Sequence, residues 1–356
     1  MGCKTNNHIL TYQNLESLNK KISSESDDFF GLLDTGEGGE NLYGGDTLKG
    51  LLDIGVGRLP VETSFEAQTV VNKIINYSKN PTLDAWKNEL TFLADDADNA
   101  GDAELQKQAY HLAAIIMSKY PWFHNNLIFM DAYNQISTPT GQRYPAVREA
   151  INSIIHKGTL IFNYTGHGSP NQFAHESAID KSMVNSWKNI NYLPFFMTAS
   201  CEISPYDNHK LKSIGEMILL NPNGGAVSMF TTTRLVYGSS NHELSISFYN
   251  RVFERNEGGN YSTLGEIMKD AKNQQGVYAI NSRKFTLFGD PSMKLIIPPY
   301  KVVTDSINGK STQVATDTIG ALQKVEICGS ITDTLGNHIP NYNGVIHTAV
   351  YDKFKE

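Results

Sequence analysis

Cysteine is scarce in this chain, and its three copies lie far apart in the sequence. They are Cys3, Cys201 and Cys328, and no two of them have the short spacing of a metal-binding pair. The sequence therefore indicates neither a disulfide framework nor a zinc cluster. What remains for cysteine is a role for a single thiol that acts alone.

Long apolar runs and clusters of one charge are also lacking. No stretch approaches the ~18 apolar residues of a membrane-spanning helix, and the opening residues MGCKTNNHIL lack the apolar core of a secretory signal. The 30 lysine and arginine residues are scattered, and the formal net charge is -7. Because such a charge distribution does not suit a phosphate backbone, nucleic acid is not an expected partner.

Three common catalytic motifs are missing as well. The chain has no GxxxxGKS/T phosphate loop, no HExxH metal helix and no GxSxG nucleophile elbow. The histidines and cysteines share no spacing typical of metal ligands, so they predict no metal site.

What the sequence does contain is an alternation of short apolar runs and helical patterns. The spacing is that of βαβ crossovers, which predicts an α/β fold with a mostly parallel sheet flanked by helices. An amphipathic helix is predicted directly after Ser64, which would act as its N-cap. Further helices are predicted at 104–119 and 144–156, and strands at 51–56, 90–94, 126–130, 159–164, 193–199 and 225–231.

The composition divides the chain into three parts. Residues 1–50 are polar and partly Gly-rich, and we expect a loop-rich segment that belongs to a first subdomain cut short. Residues 51–298 carry the α/β pattern. Residues 299–356 combine Thr, Val and Ile with turn signals, which predicts the start of an immunoglobulin-like β-sandwich. A full sandwich needs ~100 residues, so this module is expected to be truncated.

A histidine and a cysteine each follow a predicted buried strand. The run LIFNY (160–164) leads directly into TGHGS, which places His167 between two glycines, and the run PFFMTAS (194–200) leads directly into Cys201. The carboxyl ends of parallel strands meet at one edge of a sheet, where α/β proteins place their ligands. His167 and Cys201 are therefore predicted to lie together.

An imidazole beside a thiol suits peptide-bond cleavage. The imidazole draws the thiol toward thiolate, which attacks an amide carbonyl, and the imidazolium protonates the leaving amine. The backbone N–H groups of Gly168 and Cys201 are the predicted oxyanion donors. A lone cysteine after a strand is more often a buried apolar residue, and Gly-His-Gly is more often a plain turn. The pairing of both on successive strand ends favours catalysis.

Five segments carry a family resemblance that covers about residues 27–298. They are NYTGHGS (163–169), ASC (199–201), LNPNGGAVSMFTTTR (220–234), FGDPSMKL (288–295) and DIGVGRLPVETSFEAQTVVNKIINY (53–77). Together they resemble the gingipain family of cysteine peptidases. The resemblance implies a caspase-like α/β fold for residues 51–298, with Cys201 as nucleophile, His167 as general base and no cofactor required.

A finer resemblance is carried by TFLADDAD (91–98), MTASCE (197–202) and KVVTDSI (301–307). These segments resemble the members of the family that act as sortases in type IX secretion. The implied activity is removal of C-terminal sorting domains from secreted cargo, with transfer of the new carboxyl end to an amine of a surface glycolipid. The implied partners are cargo proteins and other outer-membrane components of that system.

The same resemblance implies that the protein is secreted or associated with the cell surface or outer membrane. Two alternatives stay open. One is a general secreted protease of the same family, and the other is a non-catalytic scaffold fragment that keeps the fold without turnover. Reactivity of the Cys201 thiol toward a peptidyl electrophile would separate the scaffold from the enzymes, because a buried structural cysteine is inert.

A third catalytic residue is implied on the loop after the predicted strand 90–94. The family places an acid there that orients the imidazole, and this loop contains Asp95, Asp96 and Asp98. We predict Asp96, with Asp98 as the next candidate. The alternative is that these acids form a solvated turn or a calcium site, since the family binds Ca²⁺ as a structural ion.

Substrate contacts are predicted around the nucleophile and in the segment 231–237. This segment aligns with the wall of the family's specificity pocket, where Thr232 and Tyr237 would contact the substrate, and Glu202 directly follows Cys201. The family's pocket acid falls near Glu104, but we favour the simpler interpretation that Glu104 is an exposed residue at a helix start. Specificity for arginine or lysine is therefore not predicted.

Overall fold

The computed structural model divides into two compact units. One unit holds Met1–Thr82 and Trp86–Ile296, and the other holds Leu83–Ala85 and Ile297–Glu356. The residues that the structure describes are 11–13, 23–38, 48–80, 84–208, 210–256, 258–277, 279–314, 319–320, 322–333, 335–344 and 346.

Helices in the described residues all belong to the first unit. They are α1 (Ser64–Ser78), α2 (Ala103–Lys119), α3 (Pro145–Lys157), α4 (Lys181–Ser186), α5 (Ile214–Leu220), α6 (Gly238–Arg251), α7 (Leu264–Asn273) and α8 (Ile280–Arg283). Short 3-10 helices lie at Asp27–Gly31, Ala85–Asn88 and Met130–Ala132.

The strands are distributed over both units. They are β1 (Tyr12–Gln13), β2 (Glu25–Ser26), β3 (Glu89–Ala94), β4 (His124–Phe129), β5 (Ile136–Thr138), β6 (Gly141–Arg143), β7 (Ile161–Thr165), β8 (Gln172–Phe173), β9 (Ile179–Asp180), β10 (Phe195–Ala199), β11 (Ser228–Thr232), β12 (Phe285–Phe288), β13 (Tyr300–Ile307), β14 (Lys310–Ser311) and β15 (Ile327–Asp333).

Six strands form the central sheet, in the order β12-β11-β10-β7-β3-β4. Five of them run parallel, and β12 is an antiparallel edge strand next to β11. The predicted α/β class with a mostly parallel, helix-flanked sheet is therefore confirmed. The sequence pattern does not predict β12, because this four-residue strand directly follows a helix and resembles a continuation of it.

Side chains on neighbouring strand positions pack on opposite faces of this sheet. Phe162 of β7 stacks on Phe196 of β10 at 4.8 Å between ring centroids, in the core that α1, α3, α4 and α5 help to form. The adjacent Phe195 stacks instead on Phe248 of α6 at 5.4 Å. Helices thus cover both faces, as a buried parallel sheet requires.

α1 begins one residue earlier than the sequence pattern suggests, because Thr63 and not Ser64 is the N-cap. The Thr63 side chain accepts a hydrogen bond from the N–H of Glu66 at 3.2 Å, and the Glu66 carboxylate accepts one from the N–H of Thr63 at 3.3 Å. This reciprocal capping box satisfies N–H groups that the first turn leaves free.

A buried lysine of α1 binds the end of α5. The ammonium of Lys73 donates hydrogen bonds to the carbonyl oxygens of Leu219 at 2.6 Å and Gly224 at 2.7 Å. Carbonyls at a helix C-terminus carry partial negative charge, so a cation stabilises them there. Burial nevertheless lowers the pKa of Lys73 to about 7.

The predicted strand at 51–56 is wrong. In its place the chain has no regular secondary structure and bends at Asp53 and Ile54. The next segment touches the sheet, where Arg58 forms an isolated parallel bridge with Phe288. A Cβ atom at Gly55 would collide with the backbone of Gly265, so this segment is packed closely against the start of α7. Close approach to a helix replaces strand pairing at this position.

Acidic residues of the N-terminal segment are buried on basic partners far away in sequence. Asp27 binds Arg58 with an O–N distance of 2.5 Å, and Asp28 binds Lys272 at 2.6 Å and Arg283 at 3.1 Å. This segment is therefore an integral part of the first unit and not only a loop. The rest of the predicted loop-rich region, at 1–10, 14–22 and 39–47, lies outside the described residues.

The second unit contains a three-stranded antiparallel sheet in the order β14-β13-β15. Its β content agrees with the Thr/Val/Ile-rich composition of this part of the chain. The immunoglobulin-like sandwich stays a prediction, and residues 315–318 and 347–356 lie outside the described residues.

Candidate active site

His167 and Cys201 follow two strands that are neighbours in the sheet. β7 and β10 pair in parallel, with Thr165 opposite Ala199, so each residue lies two positions beyond the last paired residue of its strand. The structure thus brings the predicted pair to the same edge of the sheet. This placement follows from the parallel register alone.

The turn that carries His167 packs tightly against the turn that carries Cys201. A Cβ atom at Gly168 would collide with the hydroxyl oxygen of Ser200 and would lie 2.6 Å from Cδ1 of Ile203. Only glycine therefore fits at this position without displacing the residues around the nucleophile.

The predicted oxyanion donors are available in this geometry. Gly168 and Phe173 face each other in an antiparallel bridge whose two hydrogen bonds are made by the flanking residues, so the Gly168 N–H points away from it. Within the described part of the chain, neither the Gly168 N–H nor the Cys201 N–H has a hydrogen-bond acceptor. Two such donors can stabilise a tetrahedral oxyanion.

The acid beside the imidazole is Asp102. Its Oδ1 lies 3.1 Å from Nε2 of His167, and its side chain is largely buried. Asp102 is the N-cap residue of α2, yet its side chain makes no capping hydrogen bond. Its Oδ2 accepts a hydrogen bond from the amide of Asn99 at 2.7 Å, which leaves Oδ1 facing the histidine. A carboxylate on Nε2 leaves Nδ1 as the ring nitrogen that accepts a proton.

Asp96, the predicted orienting acid, does not contact the imidazole of His167 in the structure. Its Oδ2 accepts hydrogen bonds from the hydroxyl of Tyr144 at 3.0 Å and from the amide of Gln135 at 3.3 Å, and not from His167. The physical reason is the direction of the loop after β3, which turns the Asp96 side chain toward α3. Asp102, six residues later, reaches the imidazole instead.

Asp95 holds the backbone of the histidine turn. Its Oδ2 accepts a hydrogen bond from the N–H of His167 at 2.8 Å and from the hydroxyl of Tyr164 at 3.3 Å. Burial raises the pKa of Asp95 well above its ordinary value, the His167 N–H opposes this shift, and the charge of Asp96 adds to it. Asp95 therefore positions His167 without touching its ring.

A second histidine covers the ring of the first. The rings of His167 and His175 stack with centroids 4.9 Å apart and an interplanar angle of 14°. Asp98, the other predicted orienting acid, binds Nδ1 of His175 at 3.0 Å, and this hydrogen bond raises the pKa of His175. Asp98 thus acts on the catalytic ring only through its stacked neighbour.

The thiol of Cys201 is hydrogen-bonded to a backbone carbonyl and not to the imidazole of His167. Its Sγ donates to the carbonyl of Val236 at 3.6 Å, and among the described residues it has no hydrogen bond to the imidazole of His167. Burial raises the pKa of Cys201, whereas the ammonium of Lys284 acts in the opposite direction. The imidazole must approach the sulfur before a thiolate forms, which catalytic groups often do only when substrate binds.

The segment 232–237 is hydrogen-bonded to the turn that carries Cys201. The hydroxyl of Thr232 donates to the carbonyl of Ser200, and the carbonyl of Thr232 accepts from the N–H of Ser204 at 2.8 Å. Thr232 is fully buried, so its side chain supports the turn and is not exposed to a substrate.

The other two predicted substrate-binding residues lie nearer the surface. Tyr237 is 55% exposed at the start of α6, with its ring 5.6 Å from the ammonium of Lys284. Glu202 is half-buried in the left-handed region at φ 49°, and its N–H donates to the carbonyl of Arg234 at 3.2 Å. Glu104 lies in the first turn of α2 and pairs with Lys107, which agrees with its simpler interpretation.

Sequence reasoning missed three residues of this site. Asp102 is visible in the sequence as an acid directly before a helix. Such an acid is usually interpreted as an N-cap, so its position beside His167 is not predicted. Lys284 carries none, since its approach to Cys201 depends on β11 and β12 being neighbours. Arg234 lies in the predicted segment 231–237, but its acidic partners Asp207 and Glu25 are not linked to it by any local pattern. Arg234 binds Asp207 through both ends of its guanidinium and Glu25 at 3.0 Å.

A family comparison decides what these residues belong to. The family model of peptidase family C25 matches residues 2–296, which include the whole sheet and both catalytic candidates. The chain belongs to peptidase family C25. This is the gingipain family of cysteine peptidases, so the resemblance carried by the sequence segments is confirmed.

Two solved gingipain structures share the fold. A crystal structure of the Arg-specific cysteine proteinase gingipain R has 17% identity and a TM-score of 0.60, covering 79% of this chain and 62% of its own. The complex of Porphyromonas gingivalis RgpB pro- and mature domains has 16% identity and a TM-score of 0.61, covering 79% of this chain and 63% of its own. Dimeric latent PorU from Porphyromonas gingivalis is less similar in structure, with 23% identity and a TM-score of 0.39, covering 94% of this chain and 25% of its own.

The gingipain likeness confirms the caspase-like arrangement of the C25 domain. The chain spans slightly less than two thirds of the length of the two gingipain R structures. No curated protein matches the sequence. In the described part of the chain, none of the helices has the length and apolar character needed to cross a membrane.

Proposed function

We propose that this chain carries the catalytic machinery of a cysteine endopeptidase. The observation that supports this most directly is the placement of His167 and Cys201 on the ends of adjacent parallel strands β7 and β10. Membership of family C25 and two unoccupied backbone N–H donors beside the thiol agree with it. Protein or peptide is therefore the proposed substrate.

The reaction follows from the positions of these groups. Sγ of Cys201 attacks the scissile carbonyl carbon while its proton moves to Nδ1 of His167, and the oxyanion binds the N–H groups of Gly168 and Cys201. The intermediate collapses, and the leaving amine takes the proton from His167. A thioester on Cys201 remains.

The thioester is resolved by a second nucleophile. Water or an amine loses a proton to His167 as it attacks the thioester carbon, and the sulfur leaves as thiolate. Asp102 stabilises the imidazolium that forms in both halves of the reaction. Hydrolysis gives a carboxylic acid, whereas an amine acceptor gives a new amide.

The proposed substrate is cargo of type IX secretion, from which the enzyme removes the C-terminal sorting domain. The segments TFLADDAD, MTASCE and KVVTDSI support this proposal, because they resemble the sortases of that system. Transfer of the new carboxyl end to a glycolipid amine would use the same thioester. The proposed location is the cell surface or outer membrane, beside other outer-membrane components of the system.

Labelling with a peptidyl electrophile tests the enzyme itself. Intact mass should show one adduct on the chain and on Cys328→Ala, which removes an exposed thiol as the control. Cys201→Ala and His167→Ala should not label quickly. Equal labelling of Cys201 and Cys328 in the unaltered chain would contradict an activated nucleophile and would favour the scaffold alternative.

A cargo experiment tests the finer proposal. A cargo protein that carries its sorting domain is incubated with the chain and a primary amine such as glycinamide, and the products are read by mass. We expect one cut before the sorting domain, with amide and acid products in a ratio that depends on amine concentration. Many cuts at unrelated sites would instead indicate a general secreted protease.

A further inference from the structure

One face of the His167 imidazole is covered by a second imidazole. The rings of His167 and His175 have centroids 4.9 Å apart and an interplanar angle of 14°, the geometry of an aromatic stack. The edge of the His167 ring is held by one hydrogen bond, between Nε2 and Asp102 at 3.1 Å. A single hydrogen bond fixes one ring nitrogen but permits rotation of the ring about that bond. The stack therefore restrains the plane of the ring, which Asp102 alone does not.

His175 is itself held in place by the chain around it. Its Nδ1 donates a hydrogen bond to Oδ2 of Asp98 at 3.0 Å, and its carbonyl accepts one from the side-chain amide of Gln172 at 3.1 Å. The residue before it, Ala174, donates its N–H to the carbonyl of His167 at 2.9 Å. The loop that carries His175 is thus bound to the residue whose ring it covers.

The backbone of this loop has a conformation that costs free energy. Ala174 lies in the left-handed region at φ 62° and Ser177 at φ 57°, where the Cβ atom of an L-residue is crowded by a carbonyl oxygen. Residues keep such a conformation only where surrounding contacts outweigh its cost, and they are frequent at functional sites. The two residues flank 175–176, so the loop bends at the point where His175 meets His167.

Packing alone does not account for the position of His175. Its side chain is 66% exposed, so it buries little surface and adds little to the stability of the fold. What the ring does cover is the imidazole of His167, whose side chain is itself 40% exposed. The surroundings therefore favour a role at the site over a role in the core.

The charges around His175 are compatible with a neighbour that becomes cationic. The acids that act on it are Asp98 and Asp95, from the loop after β3, and Glu176, the next residue in the chain. The carboxylate of Asp98 balances a positive charge on His175. The stack therefore opposes little the imidazolium that forms on His167 during the proposed reaction.

We infer that His175 is a positioning residue of the proposed peptidase, and the inference rests on that proposed function. The ring of His175, held by Asp98, fixes the plane of the His167 imidazole so that its Nδ1 meets the thiol proton as the imidazole approaches Cys201. The proton passes directly from Sγ to Nδ1, and none passes through His175. Asp98 thus orients an imidazole, as the sequence suggests, but that imidazole belongs to His175.

Two variants separate stacking from hydrogen bonding. His175→Phe keeps an aromatic ring that can stack but loses the hydrogen bond to Asp98, whereas His175→Gln keeps a donor for Asp98 but has no ring. Inactivation of the full chain by a peptidyl chloromethyl ketone is resolved into a binding constant, KI, and a first-order rate constant, kinact. We expect kinact to fall about 10-fold in His175→Gln and to stay within about 3-fold in His175→Phe, with KI within about 2-fold in both.

Two further variants complete the test, and circular dichroism checks the folding of each. His124→Ala is the matched control, because it removes another histidine whose Nδ1 faces an acid, Glu89 at 3.5 Å, at the start of β4. It should change neither constant. Asp98→Ala should lower kinact by a smaller factor than His175→Gln, and combining the two should add no further loss, because Asp98 acts through His175.

Three results would overturn the inference. Equal kinact values in His175→Phe and His175→Gln would show that the stack makes no difference. A changed KI with an unchanged kinact would assign His175 to substrate binding instead. Labelling of Cys201 that needs His167 but is indifferent to His175 would leave the proposed function intact and overturn only this inference. Absence of labelling in the unaltered chain would contradict the proposed function itself, and the inference would fall with it.

Discussion

Lys284 is a cation whose charge acts on the thiol of Cys201. It is fully buried, donates to the carbonyl of Leu235 at 2.8 Å and favours ionisation of the thiol. We expect Lys284→Met to shift the pH midpoint of Cys201 alkylation upward by about half a unit or more, because a nearby positive charge is lost. Iodoacetamide rates measured against pH would show this.

The control for Lys284 is Lys107→Met, which removes an exposed lysine on α2. It should leave the alkylation profile unchanged. If both variants behave alike, Lys284 has no specific effect on the thiol.

Asp102 is the second residue whose role can be measured alone. Asp102→Asn should lower the rate of inactivation by a peptidyl electrophile by about 100-fold, because the imidazole loses both its orientation and its charge partner. Asp131→Asn, an exposed acid near the same loop, should change the rate little. A larger loss in Asp96→Asn than in Asp102→Asn would restore the sequence-based choice of Asp96.

The residues that sequence reasoning reached are those whose position follows from strand order. His167 and Cys201 each follow an apolar strand directly, so parallel pairing is enough to predict their proximity. Asp102 was out of reach, because its approach to His167 depends on the path of the loop at 95–102. Propensity does not specify such a path.

Among the secondary-structure elements, the C-terminal end of α5 binds Lys73, whose titration should make the stability of the protein depend on pH. Burial lowers the pKa of Lys73 to about 7, so between about pH 7 and 10 the unfolded chain binds one more proton here than the folded chain. Stability should therefore rise with pH over that window, by up to ~1.4 kcal/mol per unit from this residue. Below pH 7 the contribution is constant.

Thermal unfolding at several pH values tests this. In Lys73→Met the rise between about pH 7 and 10 should be absent or much smaller. A slope equal to that of the unaltered chain would mean that the carbonyls of Leu219 and Gly224 keep Lys73 charged throughout.

The segment 232–237 is the second element that allows a direct test. Its Arg234 binds Asp207 and Glu25, and its backbone binds Glu202 beside the nucleophile. Arg234→Lys keeps the charge but loses the two-pronged geometry. We expect KM for a peptide substrate to rise about 10-fold, equivalent to ~1.4 kcal/mol, while alkylation by iodoacetamide changes less than about 2-fold.

Arg251→Lys is the matched variant, since Arg251 pairs with two acids on the surface. It should leave KM unchanged. Equal losses for the peptide and for the small reagent in Arg234→Lys would indicate a general disturbance of the fold and not of substrate positioning.

The elements themselves were predicted unevenly. Strands β3, β4, β7, β10 and β11 lie within a few residues of the predicted runs, because buried parallel strands are nearly continuous apolar segments. The wrong strand at 51–56 has the same composition, but Gly55 lets it approach α7 closely instead. At 51–56, packing against α7 therefore replaces the strand pairing that the composition predicts.

At the scale of the whole molecule, the candidate catalytic residues His167 and Cys201 both lie in the first unit. Every contact described for His167 and Cys201 lies within residues 11–296, and the C25 family model also ends at residue 296. A chain that ends at Ile296 should therefore fold and label at Cys201 with a rate within about 2-fold of the longer chain. Loss of labelling with retained circular dichroism would show that the second unit supports the site.

A buried acid of the N-terminal segment finds its basic partner only late in synthesis. Asp28 meets Lys272 across 244 residues of sequence. At ~5 to 20 residues per second, a ribosome needs roughly 10 to 50 s to produce that partner after Asp28 has been made. Until then Asp28 must stay hydrated and without Lys272, so a helix that is translated late completes the part of the domain that was made first.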